Sequence, residues 1–407
     1  MAESPRAPDS VVIVGGGLAG AKTAEALREQ GYAGPLTLLA AEDELPYERP
    51  PLSKGYLAGK DGFEKAIVHP EEWYAEHDVD LRCGAEVAAV DRDKHEVELA
   101  DGTRLPYGAL VLATGAEPRS LPIPGADTAL VLRTHADSDR IKSTFGAGKR
   151  LVVIGAGWIG LEVAAAAREA GTDVVVLEAA ELPLLGVLGP EMGEVFAELH
   201  RDHGVDLRLG ARIAEITPSG VRLEDGEEIA ADAVVVGVGV RPRTELAEAA
   251  GLDVDNGVLV DRALRTSDPH IYAVGDIAHH DHPVLGRIRV EHWANALNQP
   301  ATAVAAILGE DAAYDRLPYF FTDQYDLGME YVGHATRDDT ARVVVRGDLA
   351  GREFVAFWLD DRDRILAAMN VNVWDVPDEV RPLIAAKTVV DPEKLMDQDT
   401  AYADVGR

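Results

Sequence analysis

The chain has a single cysteine, Cys83, among its 407 residues. One cysteine makes no internal disulfide, no redox dithiol and no CxxC metal site. A reducing compartment suits such a chain, and Cys83 itself reads as a small buried hydrophobe. Long apolar runs are missing as well. No stretch of about 18 apolar residues occurs, so no spanning helix is expected. The opening residues, MAESPRAPDS, contain no apolar signal core and read as a disordered leader, which makes the cytoplasm the expected location. Basic residues are scarce: 39 against 71 acidic, a net charge of −32. That opposes general nucleic-acid binding and attachment to anionic membranes. It leaves room for a local basic patch facing an acidic partner. The twelve histidines show no metal-ligand spacing. His279 and His280 with His282 read as a polar loop, and no metal is expected.

What is present is an ordinary globular balance, 47% hydrophobic and 27% charged, in a length that suits two to three domains. The strongest signal is a repeat. Residues 11–20 read VVIVGGGLAG and residues 151–160 read LVVIGAGWIG. Each is an apolar strand followed by G-x-G-x-x-G and a helix-like run. A second apolar strand then ends near an acid, Glu42 or Glu178. This strand–turn–helix–strand–acid order is the context a dinucleotide fingerprint requires. Gly15 and Gly155 allow the tight turn. Gly17 and Gly157 let a pyrophosphate approach the backbone, and Gly20 and Gly160 let helix and strand pack closely. The helix N-terminus favours the phosphate charge. Glu42 and Glu178 would accept hydrogen bonds from ribose hydroxyls.

Further apolar strands break at Gly115, at Gly237 and Gly239, and at Gly275 with Asp276. PIPG (122–125) reads as a crossover between the two units. Residues 294–309 read as helical in their second half, with Pro300 near an N-terminus. From about residue 320 three strand-like segments, ARVVVRGD, EFVAFWLD and RILAAMNVN, precede a helix candidate, DVPDEVRPLIAAK. The expected fold is α/β: two Rossmann-like dinucleotide-binding domains plus a C-terminal α+β domain, a glutathione-reductase-like architecture. Its expected boundaries are 10–115 with 241–320, then 116–240, then 321–407.

Two fingerprints in one chain suggest a bound flavin and a diffusing nicotinamide. The segments PYERPPLSK, ATGAEPR, GAGWIGLE, YAVGDIA, EHWANALNQ and DQYD carry a more specific resemblance. From about residue 10 to 390 the chain resembles the NADH-dependent FAD ferredoxin reductases that serve cytochrome P450s and aromatic-ring dioxygenases, the putidaredoxin reductase and biphenyl dioxygenase reductase type. The resemblance implies hydride transfer from NADH to flavin N5, then single electrons to an iron–sulfur ferredoxin. It implies that Gly15, Gly17, Gly20, Glu42, Arg49, Lys54, Thr114, Gly115, Arg119, Gly275, Asp276, His292, Trp293 and Ala294 hold FAD. Gly155, Gly157, Ile159, Gly160, Glu162, Glu178 and Gly239 would hold NAD. Lys54 and Glu162 are the candidate catalytic residues, with an ion pair between them near the ring, and Glu162 would also meet the nicotinamide carboxamide; the alternative reading of Glu162 is a first-turn acid favoured by the helix dipole.

Glu178 is a carboxylate where a 2′-phosphate would sit, with no arginine in AAEL (179–182), so NADH is expected over NADPH. Two departures concern YFFTDQYD (319–326). Relatives often carry tryptophan where Phe321 stands and serine where Thr322 stands. Phe321 keeps the π-face and loses the indole N–H. Arg287, Arg289, Arg316 and Arg337 are candidate contacts for the ferredoxin. Disulfide and peroxide reductases place a redox cysteine in the segment that here carries Lys54. A monodehydroascorbate-type reductase, an NADH oxidase and an apoptosis-inducing-factor-like binding protein remain alternatives.

Overall fold

The computed structural model describes residues 7–407. Part of the expected leader, residues 1–6, lies outside them. The chain forms two compact units. The first comprises residues 7–49, 63–117 and 241–318, and the second residues 50–62, 118–240 and 319–407.

In the first unit a five-stranded sheet has the order Ile271–Ala273, Ala109–Leu112, Val11–Val14, Leu36–Leu39, Val79–Arg82. Every neighbouring pair is parallel. Apart from the edge strand Val79–Arg82, which carries Asp80 and Arg82, these strands are mostly apolar because a parallel sheet is buried on both faces. Val11–Val14 are all buried, as are Ala109–Leu112. The helix Leu18–Glu29 follows the central strand, and the helix Trp293–Ile307 packs against it. That second helix is longer than the sequence suggests. Pro300 lies inside it rather than near its N-terminus. A mid-helix proline removes one backbone hydrogen bond. Burial of Ala294, Asn295, Gln299, Ala303 and Val304 along the same helix offsets that loss.

In the second unit a four-stranded parallel sheet has the order Asp206–Arg208, Asp173–Leu177, Arg150–Ile154, Ala233–Val236. The helix Trp158–Glu169 follows the Arg150–Ile154 strand. The C-terminal part is an antiparallel sheet of five strands, not three, in the order Tyr319–Gln324, Leu327–Gly333, Ile365–Val371, Glu353–Leu359, Arg342–Asp348. The two additional strands come from the YFFTDQYD segment and the residues after it. They form a hairpin in which Phe321 faces Glu330 and Thr322 faces Met329. Residues 50–62, which lie inside the expected 10–115 stretch, pack with this second unit.

Two further readings change. Cys83 is exposed, its thiol near the Glu44 carbonyl at 3.4 Å, because it sits just beyond the edge strand Val79–Arg82. The histidine run is no loop. It forms the strand Ala278–His282, which alternates in burial so that His280 and His282 point inward.

Candidate active site

The two glycine motifs have the same local geometry, each within its own unit. Gly15 has φ +128°, and a Cβ there would lie 2.1 Å from the Ala113 carbonyl oxygen; one on Gly20 would lie 1.9 Å from the Gly15 carbonyl oxygen. Gly155 and Gly160 repeat this against the carbonyl oxygens of Gly237, at 2.5 Å, and Gly155, at 2.1 Å. Gly17 and Gly157 are different. A Cβ on Gly17 meets nothing within 4 Å, and one on Gly157 meets only the Gly237 oxygen at 4.0 Å. Both glycines are helix N-caps with no side-chain capping bond. The first-turn N–H groups are thus left for an anion at the positive end of the helix dipole. Residues of both motifs fit a dinucleotide pyrophosphate.

In the first unit Glu42 accepts hydrogen bonds from the Tyr47 hydroxyl and from Arg49 Nη2, the latter at 2.9 Å. The Arg49 guanidinium also lies over the Tyr47 ring, 5.2 Å from its centroid. Arg49 therefore attends the same carboxylate that was expected on ribose. Burial acts to lower the Arg49 pKa, but the charges of Tyr47 and Glu42 raise it above its ordinary value. The Trp293 indole donates to Glu48 Oε2 at 2.8 Å, so the PYERP segment and the Trp293–Ile307 helix are tied together. His292 is that helix's N-cap and Ala294 is buried in its first turn. Thr114 donates to the Arg243 carbonyl at 2.8 Å, and Gly115 takes a left-handed φ of +71°. Gly275 opens the short 3-10 turn containing Asp276, and its N–H donates to Gln299 Oε1 at 2.7 Å. Gln299 is fully buried, and its amide nitrogen has no hydrogen-bond partner among the described residues. A buried orphan donor beside Gly275 fits a polar ligand atom. Gln299 ends the segment EHWANALNQ, and nothing in the sequence besides that place marks it as a site residue.

In the second unit Glu178 accepts from two backbone N–H groups, Ala156 at 2.7 Å and Ala180 at 2.8 Å. Its remaining lone pairs suit ribose hydroxyls. Ile159 is half-buried in the first turn of the Trp158–Glu169 helix. Arg119 belongs to this unit and not with the first-unit residues. Its amide bonds the Gly239 carbonyl and its Nε the Val240 carbonyl, each at 2.9 Å.

Lys54 lies in the second unit too. Its Nζ pairs with Glu162 Oε1 at 2.5 Å, and the two side chains are 15% and 5% exposed. Two hydroxyls complete the carboxylate's shell: Ser53 donates to Oε2 at 2.5 Å and Thr322 to Oε1 at 2.6 Å. The ammonium also lies 5.5 Å from the Phe321 ring centroid, within cation–π range. Glu162 is the fifth residue of its helix, beyond the first turn, so it is no capping acid. Its position is set by Lys54, Ser53 and Thr322. In the sequence only its place beside Lys54 in PPLSK signals Ser53.

Of the four candidate docking arginines, Arg289 is not available. Its side chain is 7% exposed, pairs with Glu291 at 2.7 Å and donates to the Asp276 carbonyl at 3.0 Å. Arg287 donates to the carbonyls of Val260 and His279. Arg316 and Arg337 are exposed. A cleft of about 540 Å³ in the first unit is lined by Arg92, Arg104, Asp268 and neighbouring acids, with none of the predicted site residues. Among the described residues no helix is long and apolar enough to cross a membrane.

Residues 9–300 match the pyridine nucleotide-disulphide oxidoreductase family, and residues 319–405 match the reductase C-terminal family. This chain belongs to the pyridine nucleotide-disulphide oxidoreductases, in their ferredoxin reductase branch. It is 43% identical to the ferredoxin–NAD(+) reductase component of an anthranilate 1,2-dioxygenase system from Burkholderia cepacia, over 96% of this chain and 97% of that one. It is 40% identical to rhodocoxin reductase from Rhodococcus erythropolis, over 96% and 92%. Putidaredoxin reductase, solved as a covalent complex with putidaredoxin, superposes with a TM-score of 0.93 at 38% identity, over 98% of each chain. The protein is therefore an oxidoreductase enzyme with two Rossmann-like parts and an antiparallel C-terminal sheet.

Proposed function

We propose that the protein is an FAD-containing NADH:ferredoxin oxidoreductase whose iron–sulfur partner feeds a cytochrome P450 or a ring-hydroxylating oxygenase. The observation that carries this reading is the buried Lys54–Glu162 pair in the segment after the first fingerprint. Thiol-dependent relatives need a cysteine in that segment, and residues 46–57 contain none. Near-full-length likeness to ferredoxin reductases supports the same reading.

A bound flavin supplies acceptance of a hydride from a nicotinamide and release of electrons one at a time. The chain's own residues bind, orient and polarise. The open Gly17 and Gly157 turns offer backbone N–H groups to two pyrophosphates. Glu42 and Glu178 offer carboxylate oxygens to two riboses. Glu178 also opposes a 2′-phosphate by like charge, which favours NADH. Lys54 is held as a fixed positive charge by Glu162 and by the Phe321 face. Such preorganised charge stabilises developing negative charge without reorganisation.

The purified protein should show a flavin spectrum that NADH bleaches, followed by ferredoxin-dependent reduction of cytochrome c. Bleaching with equal turnover to oxygen alone would make it an oxidase instead. Lys54→Met should slow the bleaching by roughly tenfold or more; an unchanged rate removes Lys54 from the site.

A further inference from the structure

Behind Glu162 runs a line of polar side chains that the proposed chemistry does not use, all within the second unit. Thr322 Oγ1 donates to Glu162 Oε1 at 2.6 Å. It receives a hydrogen bond from Gln324 Nε2 at 3.2 Å. Gln324 Oε1 lies 2.8 Å from His200 Nε2, and His200 Nδ1 lies 3.3 Å from the Tyr325 hydroxyl. Thr322, Gln324 and His200 are each no more than 1% exposed.

The chemistry fixes the direction of every bond. Gln324 Oε1 only accepts, so His200 carries its proton on Nε2. The neutral ring then has a lone pair on Nδ1, which accepts from Tyr325. Burial holds the His200 pKa down at about 4, against 6.5 ordinarily, with Gln324 opposing and His203 adding to the depression. The ring is neutral near pH 7. Gln324 Nε2 occupies a lone pair of Thr322 and turns that hydroxyl's one hydrogen toward Glu162. All four donors point the same way, toward a carboxylate, so each bond polarises the next. An amide in the line does not pass protons on, so the arrangement orients groups rather than conducting protons.

We propose that Gln324 and His200 are positioning residues for the Lys54–Glu162 pair, acting through the Thr322 hydroxyl. Strand alternation makes this possible. Thr322 and Gln324 are two apart in Tyr319–Gln324 and point to the same face, where His200 of the helix Pro190–Asp202 meets them. The charged neighbours are few. Asp323, on the opposite face, has its carboxyl pKa raised by burial and by Glu162 and Glu330, while Lys54 acts to lower it. His203 stacks on Tyr325, its ring centroid 3.8 Å away.

The test is the pH midpoint at which Lys54 becomes acylated by a small amine-reactive ester, read by peptide mass spectrometry on the full holoprotein. Lys60, 63% exposed in the same unit, is the internal reference. Looser packing raises the plateau of labelling, and losing a donor from a carboxylate that stays in place raises the midpoint; only a carboxylate that has moved off the ammonium lowers it. Gln324→Leu and Thr322→Val should each lower it by about half to one unit, a roughly three- to tenfold faster reaction at fixed pH. Thr322→Ser, which keeps the hydroxyl, should restore it. His200→Phe should act in the same direction as Gln324→Leu; if it fails to fold, Gln324→Leu reads the same link. An unchanged or raised midpoint in Gln324→Leu overturns the proposal, because the carboxylate would then keep its place without Gln324. The proposal rests on Lys54 being a site residue. Labelling reads the hydrogen-bond line, whereas NADH bleaching reads the function, so the two can fail separately.

Discussion

The two fingerprint turns share a backbone and differ in what holds their acids. Glu42 is held by side chains, Tyr47 and Arg49, from the proline-rich stretch that follows it. Glu178 is held by the backbone, through Ala156 of its own glycine turn and Ala180 just beyond it. The first arrangement brings a compensating cation, so the carboxylate's net field is small. The second brings only N–H dipoles, so the negative charge stays exposed to whatever approaches. A resident cofactor suits the first and a coenzyme selected by charge suits the second.

The largest expected effect tests whether the shared backbone is as strict as its contacts imply. Gly15→Ala and Gly155→Ala both place a methyl within 2.5 Å of a carbonyl oxygen at positive φ. Each should cost about 3 kcal/mol or more, read as a lost denaturant midpoint or absent soluble protein. Gly17→Ala and Gly157→Ala meet open space. They should leave the melting of the apoprotein nearly unchanged while weakening dinucleotide binding. Equal destabilisation by all four would break the distinction between turn glycines and approach glycines.

A second test sets a buried histidine of each unit against the other. His280, in the first, has no hydrogen-bond partner on either ring nitrogen among the described residues; burial, with help from nearby His282, holds its pKa down at about 4. His200, in the second, has partners on both nitrogens and is held equally low by burial. The unfolded chain takes up these protons near 6.5, the folded chain only near 4. Between those values the unfolded state binds more protons, so stability falls as pH drops and levels off below about 4. Each histidine should contribute up to roughly 3 kcal/mol of that loss. His280→Leu should flatten the acid limb with little change at neutral pH. His200→Leu should flatten it too, yet lose about 1–3 kcal/mol at neutral pH because Gln324 and Tyr325 are left unpaired. Urea midpoints across the acid range separate the two.

How far these features are legible in the sequence follows from their range. The glycine motifs are legible because a spacing of six residues dictates the turn, the open approach and the packing contact. The acids at the second strand ends follow from the same short unit. The Lys54–Glu162 pair joins residues 108 apart, and only the resemblance suggested it. Nothing local marks Gln324 and His200 as neighbours, or Arg289 as buried under Asp276 and Glu291. Those depend on how strands and helices stack. Pro300 misled because its helix-breaking tendency is local while the burial that overrides it is tertiary. Cys83 misled because its usual preference for the interior lost to its place beyond an edge strand.

The smallest expected effect bears on the comparison most directly. If the backbone-held Glu178 keeps its charge toward the coenzyme, Glu178→Gln should raise kcat/KM for NADPH relative to NADH by roughly tenfold. The substitution removes the repulsion and also one of the two backbone hydrogen bonds, because glutamine has a single acceptor oxygen; the melting temperature reads that second effect separately. Glu42→Gln should leave that ratio unchanged within about twofold, since Arg49 already balances its charge. It should instead loosen retention of the flavin, measured as cofactor lost on dilution. A matching selectivity change in both variants would mean that the two acids see the same ligand charge, and the contrast between side-chain and backbone support would then have no bearing on which coenzyme is used.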